Sequence, residues 1–274
     1  MDDFPFGFNS AVDLGRKWTQ HELTTYNVTI SPLPPAKFFL DPDPSFEHID
    51  PAILGSLDYD NRIFPSIDVT RFLYSLHPAI KPTRQGFLVD FAAATLTFLG
   101  FEEDRGLVVS RLPFASGESH AVVRTDACLL NPYLNFALLV VIVDEILTGD
   151  TDAEPRVIAA AIAAFQFNNR NRKGLGLRPL DTMTIPCIKM TGTRPTFYLV
   201  PVTEALSRAI TRGEHPAAQT RALRCRTAAT THAKRLSIGM EDIEYRKLAL
   251  KRFLAFKALA KSHWERVFGG VEKV

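Results

Sequence analysis

A continuous apolar run at residues 136–145 (FALLVVIVDE) is the feature that most constrains how this chain can fold. A strand that is apolar on both faces belongs in the middle of a sheet whose two sides are covered. The run of about eight apolar residues is far shorter than the roughly 20 that cross a bilayer. It therefore predicts a central, covered strand, which ends in the carboxylates of Asp144 and Glu145.

Strand-like and helix-like patterns alternate around this run. Residues rich in β-branched side chains predict strands at 107–112, 121–130, 184–190 and 197–201. Apolar residues at helical spacing predict helices at 83–99, 155–172, 202–212 and 241–268, with a shorter one near residue 68. This order predicts an α/β fold in which a mixed central β-sheet is flanked by helices.

The N-terminal quarter has a different character. Residues 1–65 contain many prolines separated by Asp and Ser, which predicts an irregular, Pro-rich N-terminal arm. Residues 66–274 are then expected to form a single domain. Residues 213–240 are polar, with turn formers and scattered arginines, and predict a surface excursion.

The charge balance does not select a partner, because the net charge of the 274-residue chain is only +2. A nucleic-acid binder would have to concentrate its basic residues locally. Residues 170–178 (RNRKGLGLR) and 221–235 (RALRCRTAATTHAKR) are the candidate segments. Both are also typical of solvated loops that follow helices.

The cysteines and the N-terminal residues indicate the cellular compartment in which the protein is expected. Cys128, Cys187 and Cys225 are far apart and form no CxxC pair, which argues against zinc or disulfides and fits a reducing compartment. The segment MDDFPFGFNS is acidic and lacks an apolar run, so no signal peptide is expected. We therefore expect an intracellular protein, cytoplasmic or nuclear, without a membrane span.

Acids at strand ends are the candidates for chemistry. Asp126 interrupts an apolar strand-like stretch, and Asp144 and Glu145 end the next one. A carboxylate on a core strand is costly unless it is paired, hydrogen-bonded or bound to metal. Two carboxylates with waters and a phosphate oxygen would suit Mg²⁺. The alternative is that these acids only cap the turns that follow their strands.

Six strings stand out in the span from residue 120 to residue 264, which is about half the chain. They are TDACLL (125–130), VIAAAIAAFQFNN (157–169), IPC (185–187), GTRPTFYLVPVT (192–203), GMEDIEYRKLAL (239–250) and FLAFKALAKSHW (253–264). In these strings the chain resembles a group of uncharacterised fungal proteins of the PD-(D/E)XK nuclease-like kind. The resemblance implies a restriction-endonuclease-like core.

The resemblance also implies a set of site residues. In that superfamily one strand carries a first acid and the next carries an acid-x-lysine triplet. The acids bind Mg²⁺, and the lysine orients the attacking water and stabilises the transition state. Asp126 matches the first acid. A glutamine from the following helix corresponds to Gln166, and an acid from the first helix to Asp90.

The triplet itself does not match. In one register the acid becomes Val143 and the lysine becomes Glu145; shifted by one, the acid is Asp144 and the lysine becomes Ile146. Alternation along a strand puts these two pairs on opposite faces, so only one register can serve. We favour the second, which keeps Asp126 and Asp144 as metal ligands. Both registers lose the lysine.

A basic residue from elsewhere is a possible replacement. Lys189 lies on the following predicted strand and Arg194 on the turn beyond it. The site depends on where the ammonium group is located, so a lysine from another strand is physically reasonable. Lys189 also fits a solvent-facing strand residue, and Arg194 also fits a residue that only stabilises its turn.

Three functions remain open at this point. The first is a Mg²⁺-dependent nuclease, with Mn²⁺ as a substitute metal, using Asp126 and Asp144 with Glu145, Gln166, Lys189 or Asp90 assisting. The second is a catalytically degenerate nuclease-fold protein that binds nucleic acid or a protein partner. The third is an enzyme that has reused the cleft for other metal-assisted chemistry, since fold alone does not decide function.

Overall fold

The computed structural model describes residues 18–45, 47, 49–55, 66–80, 86–103, 106–116, 121–144, 153–228 and 239–268. Its helices are α1 Gln20–Thr25, α2 Pro35–Phe38, α3 Ile67–Ala79, α4 Gly86–Phe98, α5 Glu154–Gly174, α6 Glu204–Arg212 and α7 Ile243–Val267. Its strands are β1 Val28–Pro32, β2 Leu107–Ser110, β3 Pro113–Ser116, β4 Ala121–Arg124, β5 Ala127–Asn131, β6 Phe136–Asp144, β7 Thr182–Thr191, β8 Arg194–Thr203 and β9 Thr220–Arg226. No helix in these ranges is both long and apolar enough to span a membrane.

Seven strands form one mixed sheet in the order β1-β9-β8-β7-β6-β5-β2, and β3 and β4 form a separate hairpin. The pairs β1–β9 and β6–β7 are parallel, and the other pairs of the large sheet are antiparallel. Strand β6 lies inside the sheet and is buried along its whole length. The predicted α/β fold, with a mixed central sheet flanked by helices, is confirmed.

Helices cover both faces because side chains alternate along the strands. On β8, the Tyr198 hydroxyl reaches the first turn of α5, and the neighbouring Phe197 ring packs against Phe253 and Phe256 of α7. The β3–β4 hairpin packs on α5 and α5 also packs on the sheet, which accounts for the many buried residues of this helix.

The predicted strand at residues 121–130 is wrong as a single element. It is divided between β4, which pairs with β3, and β5, which pairs with β6. At the division, Thr125 N–H donates to the Leu112 carbonyl and Arg111 N–H donates to the Asp126 carbonyl. These bonds hold residues 125 and 126 against the segment between β2 and β3. The chain therefore pairs with β3 before this point and with β6 after it.

Two sheet strands lie where irregular chain was predicted. Strand β1 falls within the predicted arm, and β9 falls within the predicted surface excursion at 213–240. Residues 20–38 contain α1, β1 and α2, so this part of the arm is not irregular. The three arginines of β9 lie among its buried residues Thr220, Ala222 and Cys225, and these arginines make the sequence resemble a polar loop.

Two buried polar side chains fix long-range geometry. The Asn168 amide of α5 donates to the Ala137 carbonyl (2.8 Å) and accepts from Ala137 N–H (2.7 Å) on β6. The fully buried Arg246 of α7 donates to the carbonyls of Ile53 and Gly55, each at 2.9 Å. Asn168 therefore fixes α5 along the sheet, and Arg246 holds residues 53–55 against α7.

Candidate functional site

The sheet brings the candidate acids to one end. Strand β6 ends at Asp144, and the antiparallel β5 begins directly after Asp126 at the same end. Asp144 is level with Thr191 at the end of β7, and Arg194 begins β8 opposite Thr191. We define the polar end as ten charged residues. Six lie at these ends of β5 to β8 or on the first turn of α5: Asp126, Asp144, Glu154, Arg156, Lys189 and Arg194. The others are Arg224 and Arg226 of β9, which contact Glu154, Arg111, whose N–H donates to the Asp126 carbonyl, and Arg124, two residues before Asp126.

Asp126 is held by its own strand partners. Its carboxylate oxygen Oδ2 accepts a hydrogen bond of 2.7 Å from the Val143 N–H of β6. Its backbone N–H donates to the Val141 carbonyl at 3.2 Å. The carboxylate therefore satisfies a strand N–H where the regular ladder between β5 and β6 ends.

Arg156 completes this arrangement. Its guanidinium lies on the first turn of α5, with Nη2 3.5 Å from Asp126 Oδ2 and Nη1 3.5 Å from the Val143 carbonyl oxygen. The two side chains are partly buried, 25% exposed for Arg156 and 23% for Asp126. Sequence reasoning missed Arg156, because an arginine in the first turn of a helix carries no signal of its partner 30 residues away.

Asp144 and Lys189 share one face of the sheet. In the parallel pairing of β6 with β7, Ile142 is level with Lys189, and Asp144 lies two residues further along the same face. Both charged residues are buried. The alternative that Lys189 faces solvent is therefore wrong. Val143 is a core residue on the opposite face, and Glu145 lies outside the described residues, so the choice between the two registers stays a prediction.

Glu154 forms the centre of a second charged group. Its Oε1 accepts hydrogen bonds from the Tyr198 hydroxyl at 2.8 Å and from Arg224 at 2.7 Å, and Arg226 Nη2 lies 3.7 Å away. Burial opposes its ionisation, but bonds from Arg224 and Tyr198 and the nearby charge of Lys189 hold the pKa of Glu154 below its usual value. Burial and this carboxylate raise the pKa of Tyr198. Sequence reasoning missed this group because three separate elements supply it.

Other candidates lie elsewhere. Gln166 donates a hydrogen bond of 3.0 Å to the Ser207 hydroxyl of α6, and it lies about 15 Å along α5 from Arg156. The structure therefore does not bring Gln166 to the acids. Asp90 is exposed on α4. Cys128 and Cys187 are buried, as expected for core residues, and burial raises the pKa of both thiols.

The described residues around Asp126 do not fit a divalent metal there. Oxygen Oδ2 already accepts the Val143 N–H and faces the Arg156 guanidinium. Within the described ranges, no group of three or more His, Cys, Asp and Glu residues could hold a metal ion. At Asp126 the cationic partner of the carboxylate is therefore the Arg156 guanidinium.

Comparisons with known proteins add little. No family model matches the chain, and no curated protein sequence matches it. Among solved structures it is similar to the type IIG restriction endonuclease BpuSI, at 13% sequence identity and a TM-score of 0.35. The match covers 75% of this chain and 19% of that chain, so this chain spans about a fifth of that enzyme. A likeness at this level carries no conclusion about activity.

Proposed function

We propose that this chain is a PD-(D/E)XK nuclease-like protein that binds nucleic acid at the polar end without hydrolysing it. The order of elements supports the proposal. Asp126 precedes β5, Asp144 ends the adjacent β6, and α5 follows, which is the order that the sequence resemblance implies. Binding is proposed in place of hydrolysis because the triplet lysine is missing and Arg156 faces the first acid.

The observation that carries the binding proposal is the local excess of arginines. Among the described residues of the polar end, three are acidic (Asp126, Asp144 and Glu154) and seven are basic, namely six arginines and Lys189. Three of the arginines, Arg111, Arg124 and Arg226, are exposed. In a chain of net charge +2, this concentrates positive charge at one place, as contacts to a phosphate backbone require.

A binding assay with matched arginine variants tests this proposal. Fluorescence anisotropy with single- and double-stranded DNA and RNA should show binding that weakens with salt, because phosphate contacts release counterions. Arg226→Gln, combined with Arg124→Gln, should weaken binding and lower the salt dependence. Arg178→Gln is the control, since Arg178 is 87% exposed near the far end of α5. Equal loss in the control and in the double variant would contradict binding at the polar end.

Mg²⁺-dependent phosphodiester hydrolysis is a second candidate, favoured by one observation. Lys189 places a buried ammonium group on the same face as Asp144, and its charge also acts on Glu154. This is the kind of lysine from another strand that would replace the one missing from the triplet.

A cleavage assay separates the two candidates. The same nucleic acids are incubated with Mg²⁺ or Mn²⁺ and with wild type, Asp126→Ala or Lys189→Met. Metal-dependent cleavage that both substitutions abolish would establish hydrolysis and contradict binding alone. Salt-sensitive binding without cleavage supports our proposal. If neither binding nor cleavage occurs, both candidates fail, and a protein partner or other metal-assisted chemistry becomes the next hypothesis.

A further inference from the structure

Two oxygen atoms from neighbouring strands face one guanidinium. Asp126 Oδ2 and the Val143 carbonyl oxygen each lie 3.5 Å from a nitrogen of Arg156. Carboxylate and backbone carbonyl oxygens are also the ligands that hard divalent cations take in proteins. The positions of these two oxygens would thus suit a cation, and the cation present is a side chain of the protein itself.

We propose that the Arg156 guanidinium is a built-in counter-ion that takes the place of a divalent metal ion at the end of β6. It neutralises Asp126, and the polar end is thereby formed without metal. An arginine suits this role, because its guanidinium stays protonated and its planar donors contact two acceptors at once.

Competition with a free metal ion favours the arginine. The guanidinium is part of α5, and Asn168 anchors that helix to β6, so its effective concentration at Asp126 does not depend on solution conditions. An incoming divalent ion would have to displace it or sit beside it. In the second case the like charges, with Lys189 also on this side of the sheet, would repel one another.

An ordinary surface ion pair would not have these properties. Exposed pairs contribute little to stability and are screened by salt. Here both side chains are about three-quarters buried, and the Val143 backbone contacts both members of the pair. Removing the Arg156 guanidinium should therefore strengthen the binding of a divalent metal ion at Asp126. Removing one partner of an exposed ion pair should have no such effect.

Mn²⁺ binding tests this without nucleic acid. Wild type, Arg156→Ala, Arg156→Lys and the double variant Arg156→Ala with Asp126→Asn are titrated with Mn²⁺, followed by electron paramagnetic resonance and by the midpoint of thermal unfolding. Wild type and Arg156→Lys should bind weakly and keep their midpoints with Mn²⁺ or chelator. Arg156→Ala should bind Mn²⁺ on the order of tenfold more tightly or better, since a unit charge beside the site is gone. Mn²⁺ should also raise its midpoint.

The double variant assigns the binding to Asp126. It should lose the tight Mn²⁺ binding of Arg156→Ala while keeping the same far-ultraviolet circular dichroism. Equal Mn²⁺ affinity in wild type and Arg156→Ala would overturn the proposal. Tight Mn²⁺ binding by wild type would also overturn it. If Arg156→Ala does not fold, Arg156→Gln takes its place with the same expected result. The Mn²⁺ titrations and the nucleic-acid assays test different proposals, so a negative result in the titrations does not contradict nucleic-acid binding.

Discussion

The Tyr198 hydroxyl donates a hydrogen bond of 2.8 Å to the carboxylate of Glu154, which joins the middle of β8 to the first turn of α5 inside the protein. Arg224 donates to the same oxygen from β9. A buried carboxylate with two donors from two strands orients the start of α5, and Arg156 lies two residues further along that helix.

Tyr198→Phe removes one of these donors and leaves Glu154 less well satisfied. Arg224 still donates to Glu154, so we expect the free energy of unfolding to fall by about 1–3 kcal/mol, the range typical of losing one hydrogen bond to a charged group. Urea denaturation measures this directly. Tyr133→Phe is the control, since Tyr133 is 81% exposed and should change stability by less than about 0.5 kcal/mol. Equal effects at the two positions would show that the Tyr198 bond contributes nothing specific.

Glu154 should make stability depend on acid pH. Its pKa is lower in the folded protein than the ordinary value of 4.5, so its stabilising effect is complete above that value and is lost as pH falls through the folded pKa. Glu154→Gln should be less stable than wild type at pH 7. The difference should narrow as pH falls below about 4.5. Urea unfolding of both proteins between pH 3 and 7 checks this; a constant difference would exclude Glu154 as the titrating group.

Arg246→Met should destabilise the protein and release residues 53–55. The substitution leaves the buried Ile53 carbonyl and the partly buried Gly55 carbonyl without their charged donor, which we expect to cost roughly 3 kcal/mol. The rate of amide hydrogen exchange should rise in residues 49–55, and the free energy of unfolding of the whole protein should fall. Lys247→Met, on the same helix but more exposed, should leave both measurements close to wild type.

Deleting residues 1–33 should damage the sheet as well as removing the N-terminal segment. The deletion removes α1 and β1, so β9 becomes an edge strand with unpaired backbone groups. We expect a lower unfolding midpoint and self-association on size-exclusion chromatography. A chain without residues 1–17 keeps all the described strands and serves as the control. A fully stable, monomeric chain starting at residue 66 would instead support a domain boundary there.

The central part of the fold could be predicted from sequence because its patterns are uninterrupted. The apolar run of β6 and the helical periodicity of α5 and α7 each specify an element without reference to the rest of the chain. Strand β9 could not be predicted in this way. Its buried residues are separated by long arginine side chains, whose roles depend on strands that are distant in sequence.

The same distinction applies to the candidate site. Asp126 and Asp144 attract attention in the sequence because each interrupts or ends an apolar stretch. Arg156 and Glu154 do not, because acids and arginines are ordinary in the first turn of a helix. Their roles arise from the packing of α5 on β6 and β8, which brings them to Asp126 and Tyr198.

The Asn168 anchor makes the length of α5 a determinant of the site. The anchored residue and Arg156 are twelve positions apart on one continuous helix, so the spacing between them sets where the guanidinium lies. Inserting or deleting a single residue between them would rotate Arg156 by about 100° around the helix axis. A related chain with such a length change would need a different counter-ion at Asp126, even if every other residue of the polar end were kept.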